Sequence, residues 1–496
     1  MASAFIEAVT LVEQIRNGDL SPVEAVEQAI RRAEAVEPRI NAIVEPTFEA
    51  ARARARAVDP RRGAMAGLPI LLKDYLAVDG APVYWGNRLL KRLDVRPDHT
   101  ETAARRLLDA GAVSLGTTHA PEFAAGNSPI SSETALYGPT RNPWDLDRTP
   151  MGSSGGSCAA VAAGVVPLAH GSDGGGSIRI PASACGLVGL KPSRHRISPA
   201  PNADMWAGFV TNGVVSRTIR DTAFGMDVLS GPEAGDAAVP VHGVSSFQEA
   251  VAREPGRLRI GFTTDFAFTE SAAPCRDAVR EAAARLGALG HDVEATYPAA
   301  LDRNEIFTPY AVVISGCLAA MLASREARIG RAWTEADMEP GTWALYRTGA
   351  SITAADFVQA AEALVRWTRE VATWWAVDGF DVLVTPTLAV EPPPTGVLVT
   401  GDQEHRTRLL RETIPFTPPF NVTGQPAISL PLHQTAAGIP IGVQLVAAHG
   451  REDLLLRLGA QLESEYAWHA RIPPVHAQEA GRSSPGTSRG GSPRGS

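Results

Sequence analysis

Two short stretches rich in glycine and serine carry the residues whose types and spacing could do chemistry. The first reads TPMGSSGGSCAA over 149–160 and the second HGSDGGGSIRIPASACGLVGLKPS over 170–193. Successive glycines leave backbone N–H groups unblocked by side chains, as an anion or oxyanion site requires. A serine hydroxyl beside such amides could attack a carbonyl carbon once a base removes its proton. The pattern therefore indicates anion binding or acyl transfer.

A phosphate-binding loop is the first interpretation, and the residues argue against it. A Walker loop needs G-x-x-x-x-G-K-[ST], and no lysine follows either glycine cluster in that register. A dinucleotide fingerprint needs G-x-G-x-x-G with an acidic residue about 20 positions further on, and the match is poor. We reject both nucleotide-binding motifs.

A histidine-dependent serine hydrolase is the second interpretation. Residues Gly152 to Gly156 satisfy G-x-S-x-G with Ser154 at the centre, but a nucleophile elbow requires a buried strand just before it. The preceding DLDRTP is polar and ends in proline. His433 and His449 lie downstream, yet neither stands in a context that marks it as a catalytic partner. This interpretation remains an alternative.

A serine activated by a neutral lysine is the third interpretation. Among 46 basic residues the only lysines are Lys73, Lys91 and Lys191. Lys73 lies in the apolar run LPILLKDYLAV, where desolvation would lower its pKa several units from about 10.4. Arginine could not serve there because guanidinium does not give up its proton. Without further evidence, a lysine in an apolar run more often places its ammonium group in water than serves as a buried base. Lys191 is expected to be structural and Lys91 an ordinary surface charge.

Together these motifs resemble those of the amidase signature family. LPILLKD, PTRNPWDLDRTPMGSSGGSCAAVAAG and GSDGGGSIRIPASACGLVGLKPS occur in the family's order. Ser153 and Ser177 are separated by 24 positions, as are the family's two catalytic serines. PFNVTGQPAISLP at 419–431 and GIPIGVQLVA at 438–447 are similar to its C-terminal blocks. The resemblance spans residues 5 to 470. It favours Lys73 as a base over Lys73 as a lysine whose amine reaches solvent.

The resemblance implies a Ser-Ser-Lys triad that works through an acyl-enzyme. Ser177 would be the nucleophile, Ser153 the bridging serine with a cis peptide bond, and Lys73 the terminal base. The proton would pass from Ser177 through Ser153 to Lys73 and back to the leaving amine. The oxyanion would be held by consecutive backbone N–H groups, those of Gly174, Gly175, Gly176 and Ser177. No metal and no organic cofactor is expected.

The same resemblance implies further roles around the triad. Most members carry threonine where this chain has Gly174, a change expected to affect loop rigidity or pocket shape. Asn127 in FAAGNS and Cys317 in ISGCLAA are similar to a pocket asparagine and a cleft cysteine of one member, so both are implied substrate contacts. Cys317 as a small buried apolar side chain is an equally favoured interpretation. Asp173 and Arg179 are expected to brace the loop by charge-assisted hydrogen bonds.

The elements that must position these residues alternate between helix and strand. The first 60 residues are predicted to be helical, and Ser21-Pro22-Val23-Glu24 is a helix start. Short apolar runs predict strands, among them 68–78, 112–117, 258–265, 380–390 and 439–447. This alternation favours one large α/β domain. The resemblance implies a mixed, mainly parallel β-sheet flanked by helices on both faces.

The domain boundaries follow from composition. The catalytic domain is predicted over 1–475, with its Ser/Gly-rich core at about 65–195. A disordered tail is predicted over 476–496, because 481–496 contain only Gly, Ser, Pro, Arg and Thr.

Composition excludes several classes of protein. Of 496 residues, 44% are hydrophobic and 20% charged, as in a folded globular protein. A net charge of −8 argues against nucleic-acid binding. No run of roughly 18 to 20 uninterrupted apolar residues and no secretory signal is evident, so no membrane partner is expected. Four scattered cysteines favour the reducing cytoplasm. A homodimer is possible.

The expected reaction is hydrolysis of a carboxylic amide, with a small, neutral, linear or cyclic (lactam-like) aliphatic amide as preferred substrate. Aryl amides, carbamates and esters are alternatives because they share the chemistry at the carbonyl. A glutamine amidotransferase subunit, supplying ammonia to an aminoacyl-tRNA partner, is a rival of another class. A catalytically silent scaffold has no reason to keep Lys73, Ser153 and Ser177 together.

Overall fold

The computed structural model describes residues 5–238 and 244–477. The packed chain extends to Ala477, which is 4% exposed and whose N–H donates to Ala163 O at 2.8 Å. The predicted domain end at residue 475 stays a prediction, and the packed chain continues two residues beyond it. Residues 478–496, which hold the rest of the predicted tail, lie outside the described residues.

Helices and strands alternate through most of the described chain. The helices are α1 (Ala8–Asn17), α2 (Pro22–Ile40), α3 (Phe48–Ala57), α4 (Arg88–Arg92), α5 (Thr102–Asp109), α6 (Gly155–Ala162), α7 (Arg179–Cys185), α8 (Ile219–Leu229), α9 (Phe247–Val251), α10 (Ala273–Ala288), α11 (Phe307–Ile329), α12 (Pro340–Ser351), α13 (Ala354–Ala376), α14 (Gln403–Thr413), α15 (Pro418–Val422) and α16 (Glu452–Tyr466). The strands are β1 (Ile43–Pro46), β2 (Pro69–Lys73), β3 (Val113–Thr118), β4 (Glu133–Thr134), β5 (Gly138–Pro139), β6 (Leu168–Asp173), β7 (Val188–Lys191), β8 (Thr211–Ser216), β9 (Arg259–Phe262), β10 (Asp292–Glu294), β11 (Val382–Pro386), β12 (Ala427–Gln434) and β13 (Pro440–Ala447).

The predicted start of α2 is confirmed at the level of hydrogen bonds. Ser21 Oγ accepts the N–H of Glu24 at 3.1 Å, and the Glu24 carboxylate accepts the N–H of Ser21 at 2.8 Å. This reciprocal pair satisfies two amides that a helix N-terminus leaves unpaired.

The central sheet has eleven strands in the order β1-β3-β2-β6-β8-β7-β12-β13-β11-β9-β10. Parallel pairing joins β3, β2 and β6 on one side and β11, β9 and β10 on the other. The strands between them pair antiparallel, as does β1 at the edge. The predicted mixed sheet is confirmed, and in the described chain four of its strand pairings are parallel and six are antiparallel.

Helices cover both faces of this sheet, because successive side chains of each strand point to opposite sides. On one face Ile70 and Leu72 join an apolar cluster with α1, α5, α8, α10 and α16. On the other face Leu71 packs with α2, α3, α6 and α7. Farther along, Leu383 packs with α13 on that second side. The α/β fold with helices on both faces is therefore confirmed.

One helix is unusually apolar. From Asn304 to Ile329 the chain is long and apolar enough by composition to cross a membrane, with mean hydropathy 1.9, and 33% of its most apolar window is buried. Uncharged residues such as Ser315 and Gly316 lie among its apolar residues, and for this reason the sequence shows no uninterrupted apolar run. In the fold, its residue Val313 packs in the apolar cluster that also contains α13.

The sheet brings the ends of two strands together where chemistry was predicted. β2 and β6 are parallel neighbours, with Leu71 opposite Ala169. Their carboxyl ends therefore lie at one edge, and the residues there are Lys73 and Asp173. Crevices at the carboxyl ends of parallel strands are common binding sites in α/β proteins.

Candidate active site

The three side chains of the predicted triad come from three different elements. Lys73 ends β2, Ser153 lies in the turn before α6, and Ser177 lies in the loop between β6 and α7. The Gly152–Ser153 peptide bond is cis, as the resemblance implies. The N–H of Ser154 donates to Ser177 O at 3.2 Å, and this bond ties the turn to the loop.

Lys73 is fully buried and contacts two serine hydroxyls. Its Nζ donates to Ser153 Oγ at 2.6 Å and to Ser172 Oγ at 2.9 Å. Sequence reasoning missed Ser172. A usable signal was its place beside Asp173 at the carboxyl end of β6, next to the strand that ends in Lys73. The two hydroxyls together fix the position of the amine.

Burial changes the acid–base behaviour of this amine. It lowers the pKa of Lys73 to about 7, although the nearby carboxylate of Asp173 acts to raise it. A substantial fraction of Lys73 is therefore neutral at neutral pH and able to accept a proton. Burial also lowers the pKa of Lys191 to about 7, but its Nζ donates to Pro192 O.

Ser177 is half-buried and lines a cavity. In the part of the chain that the structure describes, no hydrogen bond joins its hydroxyl to Ser153 Oγ. The contact between Lys73 and Ser153 is thus present, and the contact between Ser153 and Ser177 stays a prediction. Catalytic hydrogen bonds are often long before substrate binds.

The backbone N–H groups of the loop from Gly174 to Ser177 differ in their hydrogen-bond acceptors. The N–H of Gly176 donates to Asp173 Oδ1 at 2.7 Å. Its role as an oxyanion donor stays a prediction, and in this structure the carboxylate of Asp173 accepts this N–H. Within the described residues, the N–H groups of Gly174, Gly175 and Ser177 have no hydrogen-bond partner. Of these three residues, Gly175 and Ser177 line the cavity.

A buried ion pair holds this loop. Arg179 Nη2 and Nε donate to the two oxygens of Asp173 at 2.9 and 3.0 Å, and neither side chain is exposed. Arg179 also donates to Thr417 O, Asn421 Oδ1 and Gln444 Oε1. Burial alone would raise the pKa of Asp173, but the charge of Arg179 holds it below its ordinary value. The predicted brace is confirmed.

We expect Arg179→Met to destabilise the protein by about 3–5 kcal/mol, because it leaves a buried carboxylate without its partner. The midpoint of urea unfolding measures this loss. Arg366→Met is the matched control, since Arg366 and Glu362 form an ion pair in which both side chains are more than half exposed. Equal midpoints for the two variants would contradict the bracing role.

The cavity beside Ser177 has a volume of about 240 Å³ and a largely apolar wall. That wall includes Ala124, Ile130, Phe307, Ile314, Leu345 and Ile414. Among the described lining residues, Arg411 is the charged one. The space suits a small, mostly apolar ligand whose reactive group meets Ser177.

The two predicted substrate contacts lie in different places. Asn127 lines the cavity, and its Oδ1 accepts the N–H of Gly341 at 3.0 Å, which leaves its amide N–H groups for a ligand. Cys317 does not line the cavity. It lies on α11 one turn beyond Ile314 and packs against the apolar cluster around α13. The role of Cys317 as a substrate contact stays a prediction.

Comparison with known proteins now bears on this geometry. A family model described as Amidase matches residues 24–456. The chain belongs to the amidase family. It is a hydrolase acting on carbon–nitrogen bonds other than peptide bonds, and the membership predicted from its motifs is confirmed.

This amidase is similar over nearly its whole length to characterised relatives. It is 40% identical over 485 residues to a 6-aminohexanoate-cyclic-dimer hydrolase of Paenarthrobacter ureafaciens. The match covers 95% of this chain and 96% of that protein. A solved 6-aminohexanoate cyclic dimer hydrolase complexed with substrate has TM-score 0.90 at 39% identity, covering 95% of this chain and 99% of that one. A bacterial aryl acylamidase has TM-score 0.85 at 27% identity, covering 96% and 99%.

Gly174 stands where the resemblance implies threonine in most members, and its surroundings leave little room for a side chain. A Cβ atom at this position would lie 2.8 Å from Trp206 Cζ3 and 3.0 Å from Val210 Cγ2. Trp206 also lines the cavity. The absence of a side chain at Gly174 leaves this space to the indole of Trp206, and the effect on pocket shape stays a prediction.

The histidine-dependent alternative has no geometric support in the described parts of this amidase. Ser154 is buried, and its Oγ donates to Ser172 O at 3.3 Å. His433 pairs instead with Glu281 at 2.8 Å. No three His, Cys, Asp or Glu side chains among the described residues come together as a metal-binding group, and the absence of a cofactor stays a prediction.

Proposed function

We propose that this amidase hydrolyses small carboxylic amides through an acyl-enzyme on Ser177, with Ser153 and Lys73 as the proton relay. One observation carries the proposal. The fully buried Lys73 amine, with its pKa lowered by burial to about 7, lies 2.6 Å from Ser153 Oγ. An amine in this state is a base at neutral pH, whereas an ordinary lysine is not.

In the first half-reaction, neutral Lys73 accepts the proton of Ser153 while Ser153 accepts that of Ser177. The Ser177 oxygen then forms a bond to the amide carbon, and the carbonyl electrons move onto oxygen. The unpartnered N–H groups of Gly175 and Ser177 are the donors available for this oxyanion. Collapse breaks the carbon–nitrogen bond, and the relay returns the proton to the leaving amine.

The second half-reaction repeats the relay with water. Water loses a proton through Ser153 to Lys73 and attacks the Ser177 ester. Collapse of the second oxyanion breaks the ester bond, and Ser177 regains its proton. The net change is one amide and one water converted to a carboxylic acid and an amine.

The substrate proposed is a linear or cyclic aliphatic amide of the 6-aminohexanoate-dimer type. Support comes from the apolar cavity of about 240 Å³, which lies just below the roughly 300–1,000 Å³ typical of ligand pockets. The relatives named 6-aminohexanoate-cyclic-dimer hydrolase give further support. An aryl acylamidase among the similar structures keeps aryl amides as the second candidate. The homodimer and the cytoplasmic location stay predictions from the sequence.

A substrate panel tests the proposal. Wild-type enzyme is mixed with linear, cyclic and aryl amides, carbamates and esters, and intact-mass spectrometry detects the acyl adduct. We expect an adduct on Ser177 with aliphatic amides. Glutamine with ammonia detection distinguishes an amidotransferase subunit, a role held by a similar structure from Thermotoga maritima. Ammonia released from glutamine, with no adduct from any other amide, would refute the proposed function.

A further inference from the structure

Two hydroxyl groups from distant parts of the chain bind consecutive carbonyls of the glycine loop. Tyr310 Oη on α11 donates to Gly174 O at 2.7 Å. Thr417 Oγ1, just before α15, donates to Gly175 O at 2.8 Å. These two residues lie outside the motifs that carry the triad, and the proton relay does not use them.

The first hydrogen bond fixes the direction of an amide. The peptide bond between Gly174 and Gly175 is trans, since the cis bonds of the described chain lie elsewhere. In a trans peptide the C=O and the following N–H point in opposite directions. A carbonyl held by Tyr310 therefore directs the N–H of Gly175 away from the phenol. That N–H has no partner in the described structure, and Gly175 lines the cavity.

The second hydrogen bond fixes the next peptide in the same way. Thr417 holds the carbonyl of Gly175, and the N–H on the opposite side of that peptide, from Gly176, donates to Asp173 Oδ1 at 2.7 Å. Both ends of this peptide are thus fixed. Its orientation limits how far the neighbouring peptide, which carries the N–H of Gly175, can rotate.

The loop cannot supply this rigidity from its own side chains. Glycine has the widest conformational freedom of all residues. A Cβ at Gly175 would lie 2.7 Å from Tyr310 Oη, and a Cβ at Gly176 would lie 2.4 Å from Thr417 Oγ1. The hydroxyls occupy the space that side chains would need, and together with the Asp173–Arg179 pair they hold the loop in its conformation.

We propose that Tyr310 and Thr417 are positioning residues that hold the Gly174–Ser177 loop with the N–H of Gly175 directed at the oxyanion. The inference rests on the proposed acyl-enzyme function and deepens it. Its consequence is that α11 has two roles, because Phe307, Tyr310 and Ile314 line the cavity while the Tyr310 hydroxyl orders the catalytic loop.

Tyr310 is suited to act as a donor. Burial raises the pKa of its phenol above the ordinary value, so it keeps its proton across the working pH range. Its ring lines the cavity, and Tyr310→Phe therefore keeps the wall while removing the hydrogen bond. Thr417→Val removes the second hydroxyl at similar volume, and Thr417→Ser keeps it.

The test compares these variants on an aliphatic amide that acylates the wild type. We expect Tyr310→Phe and Thr417→Val each to lower kcat by roughly tenfold or more, below the 10²–10³ lost when an oxyanion donor is removed outright. KM and the pH profile are expected to stay unchanged, since the relay is untouched. Thr417→Ser is expected to retain the wild-type rate. Tyr346→Phe is the matched control, because Tyr346 on α12 is half-buried and does not line the cavity.

Inhibitor binding separates positioning from packing. An aliphatic trifluoromethyl ketone forms an ionised hemiketal with a nucleophilic serine, so its affinity reports oxyanion stabilisation. We expect its affinity to fall by the same factor as kcat, with melting temperatures near that of the wild type. Unchanged kcat and inhibitor affinity in both variants would overturn the inference, as would a raised KM with intact kcat. A wild type that forms no adduct on Ser177 would instead refute the function on which the inference rests.

Discussion

Ser177→Ala is expected to lower turnover by roughly 10⁴-fold or more and to abolish the covalent adduct. The reason is chemical, because alanine has no oxygen to form the ester, and loss of a nucleophile typically removes most of an enzyme's rate. The half-buried side chain at the cavity contributes little to packing, so the melting temperature is expected to stay near that of the wild type. Steady-state hydrolysis and intact-mass spectrometry measure the two effects.

The matched control for this variant is Ser154→Ala, which removes the hydroxyl at the centre of the alternative G-x-S-x-G motif. We expect Ser154→Ala to retain the adduct. The Ser154 hydroxyl donates a hydrogen bond to the backbone carbonyl of Ser172 and does not face the cavity. Retention of the adduct in Ser177→Ala with loss in Ser154→Ala would reverse the assignment of the nucleophile.

Lys73→Met is expected to lower kcat/KM by several orders of magnitude and to remove its pH dependence near neutrality. In the wild type, kcat/KM should rise with pH through about 7, because burial lowers the pKa of Lys73 to that value and only the neutral amine accepts a proton. Methionine has similar volume and no titratable group. Lys91→Met, which removes a partly exposed lysine paired with Glu45, is the control and should keep both rate and profile. An acid limb that persists in Lys73→Met would exclude Lys73 as the base.

The same burial makes the free energy of unfolding depend on pH. Between pH 7 and 10.5 the unfolded chain binds a proton at Lys73, and the folded chain does not. The contribution of Lys73 to stability therefore rises with pH across this window and is least favourable below it. The melting temperature of Lys73→Met relative to the wild type should accordingly fall as pH increases from 7 to 10. A constant difference would contradict the lowered pKa.

The sequence predicted the residues that carry motifs, and the structure supplied the contacts between segments. Lys73, Ser153 and the glycine loop could be identified because their residue types and spacing suit a base, a hydroxyl relay and an oxyanion site. Ser172 could have been found from its place on the strand beside Lys73. Tyr310 could not, since its bond to Gly174 spans 136 positions and depends on how α11 packs.

Two of the predicted site residues show the same division between local pattern and long-range contact. The occupied amide of Gly176 depends on a carboxylate three residues earlier folding back onto it, which residue types alone do not fix. The contacts of Cys317 depend on how α11 packs against the cluster around α13, and a helix that is apolar on most sides gives no periodic signal of that packing. Strand directions in the sheet centre follow from the β12–β13 hairpin, whose long-range partners the local pattern does not reveal.

The partners of Arg179 have a consequence for how the enzyme is made. Its guanidinium joins the nucleophile's loop to Asn421 and Gln444, more than 240 positions downstream. A nascent chain that ends before residue 421 already contains every member of the triad but lacks both acceptors. Premature termination before residue 421 should therefore yield catalytically inert protein. Activity during synthesis should arise only after the last strands of the sheet leave the ribosome.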